Sequence, residues 1–210
     1  MIVGAEVSLN GEGALPRVTE YDGRRVRLRP VDPDGDLNDL YDGSHGTPEV
    51  EALWTYMGYG PFPGKPAMLD WLRSCAASSD PLFLTVCDKE TGARLGMASF
   101  LAIWPSMRRL ELGHIWYVLH AQGTGVNREA VYLMLCEAFD RAGYRRVEWK
   151  CDSLNERSRR AALGLGFTFE GVFRQHMIVK GRNRDTAWYS LLDREWPGVK
   201  ARLEAAALAP

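Results

Sequence analysis

The residues with the clearest chemical potential are Gln122-Gly123-Thr124-Gly125-Val126-Asn127-Arg128-Glu129-Ala130, because two periodicities meet there. Upstream, Arg109 to Val118 reads as a strand. Downstream, Val126, Ala130, Leu133, Met134, Ala138 and Phe139 recur at helical spacing as far as about Ala142. Glycines at such a junction let the backbone turn sharply, and the first N–H groups of the helix have no intrahelical partner. Together with the positive end of the helix dipole, those groups make a seat for phosphate oxygens. The loop is not a Walker A motif, since no Gly-Lys-Ser/Thr follows, and it is not a dinucleotide GxGxxG. An ordinary strand-to-helix turn has the same composition, so the loop alone does not decide its use. Arg157, Arg159 and Arg160 add a local positive cluster, to be read either as phosphate contacts or as a solvated helix face.

Several elements must hold this loop in place. Arg24 to Arg29 alternates basic and apolar residues as a half-buried strand does, and Pro30 stops it. A turn-rich region follows with the aromatic cluster Trp54, Tyr56, Met57, Tyr59 and Phe62, then a helix from about Pro66 to Ala77 with Met68, Leu69 and Leu72 on one face. Strands are expected at Leu82–Cys87, Arg94–Trp104 and Arg109–Val118, paired as an antiparallel meander through turns at Lys89-Glu90-Thr91-Gly92 and Pro105-Ser106. After the long helix come a strand at Arg146–Cys151 and a short helix from about Asn155 that Gly164 and Gly166 close. A hairpin of Phe169–Val179 and Thr186–Leu192 turns at Lys180-Gly181-Arg182-Asn183, and an amphipathic helix over about Asp193–Leu208 carries Trp196, Val199 and Leu203. These elements predict a mixed α/β domain.

Composition narrows the class. The chain has 210 residues, 46% hydrophobic and 25% charged, enough for one domain that buries roughly 70% of its unfolded surface. We expect a loose arm over residues 1–20 and a single domain over 21–210. No run approaches the roughly 20 apolar residues of a membrane span, and the N-terminus lacks a basic start and apolar run, so the expected location is cytoplasmic. A formal net charge of −1 argues against a protein built on broad phosphate contacts. Four scattered cysteines with no CxxC pair, beside four histidines, argue against a metal site and fit reduced thiols.

A second ordered motif follows the loop: Leu154-Asn155-Glu156-Arg157-Ser158-Arg159-Arg160-Ala161-Ala162-Leu163-Gly164-Leu165-Gly166-Phe167, leading into Phe169-Glu170-Gly171-Val172-Phe173-Arg174. With the Glu111-Leu112-Gly113-His114 strand, the Gly loop, the Glu129-Ala130 helix and the Arg184-Asp185-Thr186 hairpin, the chain resembles the GNAT superfamily of acyl-CoA N-acyltransferases, in its RimJ/RimL-like branch, over roughly residues 21–196. The resemblance implies a central mixed, mostly antiparallel sheet that splays open between its fourth and fifth strands and is flanked by helices. It implies acetyl-CoA (or another acyl-CoA) as co-substrate, with the pantetheine arm against backbone groups of Tyr117 and Val118. The pyrophosphate would lie on the loop of Gln122, Gly123, Thr124, Gly125, Val126, Asn127 and Arg128. Asn155 would contact the pantetheine; for Arg157, Arg159 and Arg160 three readings stand, contact with the 3′-phosphate of coenzyme A, a solvated helix face, or contact with RNA. Three residues depart from the pattern: Asn127 replaces a small residue, Thr124 stands where a basic residue is common, and Ala162 stands where many members carry a Tyr general acid. Asn tolerates left-handed or capping geometry, so the loop can still form.

Acyl transfer from a thioester to an amine needs a neutral nucleophile, a stabilised oxyanion and a leaving thiolate. An α-amine with a pKa of about 7.7–8.0 is roughly a tenth neutral at pH 7, against about 0.04% for a lysine, so an α-amine needs only modest help. By the family analogy Glu111 is the first candidate to position that amine or a water; the plainer alternative is a solvated Glu beside Arg109. His114 competes because imidazole titrates near working pH. Strict alternation puts it on the strand face opposite Glu111, a bulge would reverse that, and a satisfied structural histidine is the plain alternative. Ser158 is the branch's usual candidate for the leaving thiolate, with simple helix-start hydrogen bonding as the alternative. Trp54 and Tyr56, with Trp188 from the last hairpin, are candidates to wall the acceptor pocket, or to pack as a lid. The expected activity is N-acyl transfer to a primary amine of a protein N-terminus or a small molecule, by a monomer or homodimer with no membrane. Two alternatives stand beside it: a transferase taking its acyl group from aminoacyl-tRNA, and a degenerate acyl-CoA-binding module.

Overall fold

The computed structural model describes residues 3–7 and 12–208. One eight-stranded sheet runs, in spatial order, β1 (Tyr21–Asp22), β2 (Val26–Pro30), β3 (Leu82–Asp88), β4 (Arg94–Trp104), β5 (Arg109–Tyr117), β6 (Arg146–Asp152), β8 (Arg182–Leu192) and β7 (Thr168–Val179). Every neighbouring pair is antiparallel except β5 with β6. The helices are α1 (Pro33–Asp42), α2 (Pro48–Glu51), α3 (Lys65–Ala77), α4 (Val126–Leu135), α5 (Glu156–Leu165) and α6 (Trp196–Leu208). This is the mixed, mostly antiparallel α/β fold that the patterning and the resemblance imply. Among the described residues no helix is long and apolar enough to cross a membrane.

Local chemistry explains the element ends. Asp32 caps α1 by accepting from the Gly35 N–H at 3.2 Å, with Pro33 in the first turn. Helix α3 buries Met68, Leu72 and Cys75, one stripe at helical spacing. The Asp36 carboxylate of α1 is fully buried and is held by Arg29, by Arg94 Nε at 3.1 Å and by the Thr85 hydroxyl at 2.6 Å. Those partners tie α1 to β2, β3 and β4. The pattern after Gly125 yields α4 as expected, but from Cys136 to Arg141 the chain winds as a π-helix, with the Ala142 N–H donating to the Glu137 carbonyl at 2.9 Å. Here Glu137, 2% exposed, accepts from the Arg17 N–H at 2.8 Å and from Arg141 Nε at 2.6 Å.

That buried carboxylate also changes the reading of the N-terminal arm. Gly13 and Ala14 donate to the carbonyls of Pro105 and Ala142 at 3.0 and 2.9 Å, so residues 13–17 lie docked rather than loose. A buried charge without partners would be costly, and Arg17 supplies one. The remainder of the expected arm includes Met1, Ile2 and residues 8–11, which lie outside the described residues.

The sheet opens where two strands part. β5 and β6 pair only from Arg109–Arg146 to Leu112–Trp149. Beyond that point Gly113, Trp116 and Tyr117 stay with β4, while Lys150, Cys151 and Asp152 stay with β8. The result is a wedge between the fifth and sixth strands of this sheet, the count being raised by one by the short β1. A bulge accompanies the parting: between the pairs Ser99–Gly113 and Met97–Trp116, β5 takes three steps against two of β4, with His114 at φ 51°.

Candidate active site

The loop at the mouth of the wedge leads directly into the N-terminus of α4. After β5 a single 3₁₀ turn (Leu119–Ala121) leads to Gln122, Gly123 at φ 77° and Gly125 at φ 94°. Gly125 occupies the N-cap of α4, and no side chain caps the helix there. The acidic residue of the first turn, Glu129, is turned away: its carboxylate accepts from the backbone N–H groups of Arg24 and Arg25 in the β1–β2 turn. Arg25 Nη1 in turn donates to the Thr124 carbonyl at 3.1 Å, and the Thr124 hydroxyl donates to the Ala121 carbonyl at 2.7 Å. The loop is thus braced from behind while its helix N-terminus keeps no side-chain acceptor. Arg128 is exposed, Val126 is buried, and the Asn127 side-chain oxygen is buried with no partner.

The chain's own groups already use part of the expected pantetheine path. The Val118 N–H donates to Leu95 at 2.9 Å and its carbonyl accepts from Ala121 at 3.0 Å, while the Tyr117 carbonyl accepts from Gln122 Nε2 at 2.8 Å. On the opposite wall, Asn155 caps α5 by accepting from the Ser158 N–H at 3.1 Å. Ser158 Oγ accepts from the Trp149 indole N–H at 3.0 Å, which leaves the serine's own proton as a donor, with the Cys151 side chain as a neighbouring hydrogen-bond partner. The three arginines do not act as one patch. Arg157 reaches across the wedge to the Gln122 side chain and Arg160 is exposed, but Arg159 turns the other way, to the Tyr189 hydroxyl at 3.1 Å and the Ser153 carbonyl at 3.2 Å.

The remaining candidates share one face of the sheet at the head of the wedge. Glu111 is 8% exposed, so it is not a solvated strand residue. Its Oε2 lies 2.7 Å from Lys150 Nζ, whereas Arg109 pairs with Glu148 at 3.7 Å and stacks on Trp104. Burial pushes the Glu111 carboxyl up, and Lys150 opposes that shift. The β5 bulge brings His114 to this same face, where its ring meets Phe83 at 4.9 Å and Tyr59 at 5.6 Å. His114 Nδ1 is 3.2 Å from the Tyr59 hydroxyl, and burial holds the imidazole below its usual range. Trp54 is fully buried against Trp116, with its indole N–H donating to the Ser44 carbonyl at 2.9 Å; it supports the wall from behind. Tyr56 is half-buried and donates to the Leu154 carbonyl at 3.2 Å. Trp188 faces the wedge from β8 and carries Lys150 Nζ 3.9 Å above its ring. The hairpin tip reaches over to the same segment, with Lys180 Nζ donating to the Trp54 carbonyl at 2.8 Å.

Lys150 is the site residue that sequence reasoning missed. Its only signal was that it alternates, with Glu148, between the apolar residues of the strand segment Val147-Glu148-Trp149-Lys150-Cys151. The four cysteines are unpaired, and burial raises their thiols, Cys75 to about 12. None is poised as a nucleophile at neutral pH. Among the described residues no group of His, Cys, Asp and Glu side chains is arranged to hold a metal ion.

Comparison with known proteins follows the same lines. A crystal structure of a GCN5-related N-acetyltransferase from Brucella melitensis superposes with a TM-score of 0.91 at 39% identity, over 96% of this chain and 90% of that one. In sequence the chain is 33% identical, over 109 residues, to the Bacillus subtilis (strain 168) protein named "Putative ribosomal N-acetyltransferase YdaF"; the match covers 52% of this chain and 59% of that protein. The structure of the microcin C7 self immunity acetyltransferase MccE, in complex with acetyl-CoA and AMP, shares the fold at a TM-score of 0.70 and 22% identity, over 81% of this chain and 93% of that one. Residues 25–168 match the acetyltransferase (GNAT) domain family, and with the wedge, the loop and these likenesses together the chain belongs to that family of acyltransferase enzymes.

Proposed function

We propose that this enzyme transfers an acetyl group from acetyl-CoA to a primary amine, on a protein N-terminus or a small molecule, by direct attack through a tetrahedral intermediate. The observation that carries the reading is the uncapped N-terminus of α4 at the mouth of the β5–β6 wedge, which suits the pyrophosphate of the donor. The name of the Bacillus subtilis relative supports the RimJ/RimL-like branch and with it an N-terminal acceptor. The thioester then lies between β5 and β6, with Glu111 and His114 on the acceptor face. Glu111 positions the amine and takes its proton, directly or through water. His114, held neutral by burial, is the second candidate for that proton. As the tetrahedral intermediate collapses, the Ser158 hydroxyl donates a hydrogen bond to the leaving thiolate. Lining the acceptor entrance falls to Tyr56 and Trp188, with Trp54 behind them.

Calorimetric titration with acetyl-CoA, then acetylation of a peptide with an N-terminal serine followed by mass, tests this. Micromolar donor binding and amine-dependent release of free thiol are expected, with kcat/KM falling by at least about a hundredfold in Glu111→Gln, the low end for a general base. No binding of acetyl-CoA or free CoA overturns the donor assignment and directs attention to charged tRNA. If Glu111→Gln keeps wild-type kcat/KM while His114→Asn loses it, the proton goes to the histidine.

A further inference from the structure

We propose that Lys150 is a positioning residue for this transfer: its ammonium pins one oxygen of the Glu111 carboxylate at the head of the wedge and leaves the other for the acceptor amine. The inference rests on the role given to Glu111 above. Lys150 is the first residue of β6 beyond its last β5 partner, and Glu111 stands one residue before the end of that pairing. Three groups fix the ammonium: Glu111 Oε2 at 2.7 Å, Glu148 Oε2 at 3.4 Å, and the Trp188 ring with its centroid 3.9 Å away. The three N–H donors of an ammonium can be shared among two carboxylates and a π face. The second oxygen, Oε1, lies over Gly113, 3.6 Å from where a Cβ on that residue would stand. Gly113 is the first residue of β5 to have left β6, so Oε1 sits at the point where the strands open.

The charges around Glu111 make the clamp consequential. Lys150 and Glu148 face it from β6, Arg184 acts on it from β8, and His114 shares its face of β5. Burial and Glu148 both disfavour the ionised carboxylate; Lys150 is the cation in contact with it. A carboxylate must be deprotonated to receive the amine's proton, so removing the ammonium should shift activity to higher pH. An opposite charge at contact lowers a carboxyl pKa by about 1–3 units, which sets the expected size of that shift at about one unit or more. A lysine that merely stabilised the sheet would lower activity by the same factor at every pH.

The test measures kcat/KM from pH 5.5 to 9 with acetyl-CoA and a peptide bearing an N-terminal serine, as the ratio of Lys150→Met to wild type, so that titration of the amine cancels. The expected ratio falls as pH is lowered, towards about 0.1 or less at full protonation of the wild-type carboxyl, and rises towards one at the alkaline end, with Lys150→Arg restoring most of the loss at low pH. A ratio independent of pH, or no rescue by arginine, overturns the proposal. Lys150→Gln repeats the measurement if the methionine variant does not fold. An arm that needs no acceptor follows the Glu111 side-chain carboxyl by ¹³C NMR, assigned through Glu111→Gln; an unchanged midpoint in Lys150→Met also overturns it. Glu111→Gln separates the two ideas. If that variant loses activity while the Lys150→Met ratio stays flat, only the clamp is wrong; if it retains wild-type activity, the role of Glu111 falls and the clamp with it.

Discussion

Replacing Gly125 by alanine isolates the contribution of the loop's backbone. At φ 94° a side chain is strained, yet a Cβ placed there would meet only Arg25 Nη1, at an ordinary 3.7 Å. Steric overlap therefore contributes nothing, and the whole cost is the left-handed backbone, about 1–2 kcal/mol. That cost can be expressed in two ways. If the loop keeps its shape, the fold carries the strain, and at roughly 2–4 °C per kcal/mol for a chain of this size the Tm falls by about 2–8 °C. If the loop relaxes, the amides of 126–128 turn from the donor, and at 1.4 kcal/mol per decade the acetyl-CoA Kd rises about 5- to 30-fold. The two losses should together account for the 1–2 kcal/mol. Gly92→Ala is the control, because Gly92, in the β3–β4 turn, has φ 74° and a Cβ added there would have nothing within 4 Å. It should lower Tm by a similar amount with Kd unchanged. Calorimetry with acetyl-CoA and scanning fluorimetry measure both quantities. A Gly125→Ala protein within about twofold in Kd and about 1 °C in Tm of wild type would refute the reasoning about this loop, as would a Gly92→Ala protein that lost donor affinity.

Two further predictions follow from the geometry. Ser158→Ala should leave the Trp149 indole N–H, now paired at 3.0 Å, without its acceptor; a loss of about 1–3 kcal/mol in unfolding free energy is expected by urea titration, and unchanged stability would show that water replaces the hydroxyl at no cost. His45 and His114 are both held below the ordinary imidazole range by burial, so the unfolded chain binds more protons than the folded one in acid. Stability is therefore full above the unfolded imidazole value of about 6.5, falls as pH drops through that value, and levels off below the depressed folded values. Thermal melts across pH 5–8 should show that decline, and a flatter one for His114→Gln; a wild-type melt independent of pH in this window would contradict the burial argument.

What could be read from the sequence by itself is what depends on near neighbours along the chain. Strand β4 runs from Arg94 to Trp104 as its pattern predicts, the β3–β4–β5 meander follows from its turn residues, and Asn155 caps α5 where the helix was expected to start. The glycine loop was equally legible, because a strand-to-helix junction with free first-turn amides is a local property. Tertiary structure alone decided the rest. Alternation assigned His114 to the far face until pairing with β4 forced a bulge that returned it to Glu111. The partner of Glu111 turned out to be Lys150 rather than Arg109, because only the parallel β5–β6 pairing sets those strands side by side. Trp54 lies fully buried rather than on the surface of the acceptor wall, and Arg159 points away from the loop that Arg157 reaches. In each case the deciding contact is made by another element of the fold, not by the residue's own strand or helix. Periodicity specifies which face of an element is apolar; register, bulges and the partners of a buried charge are set only when two such faces meet.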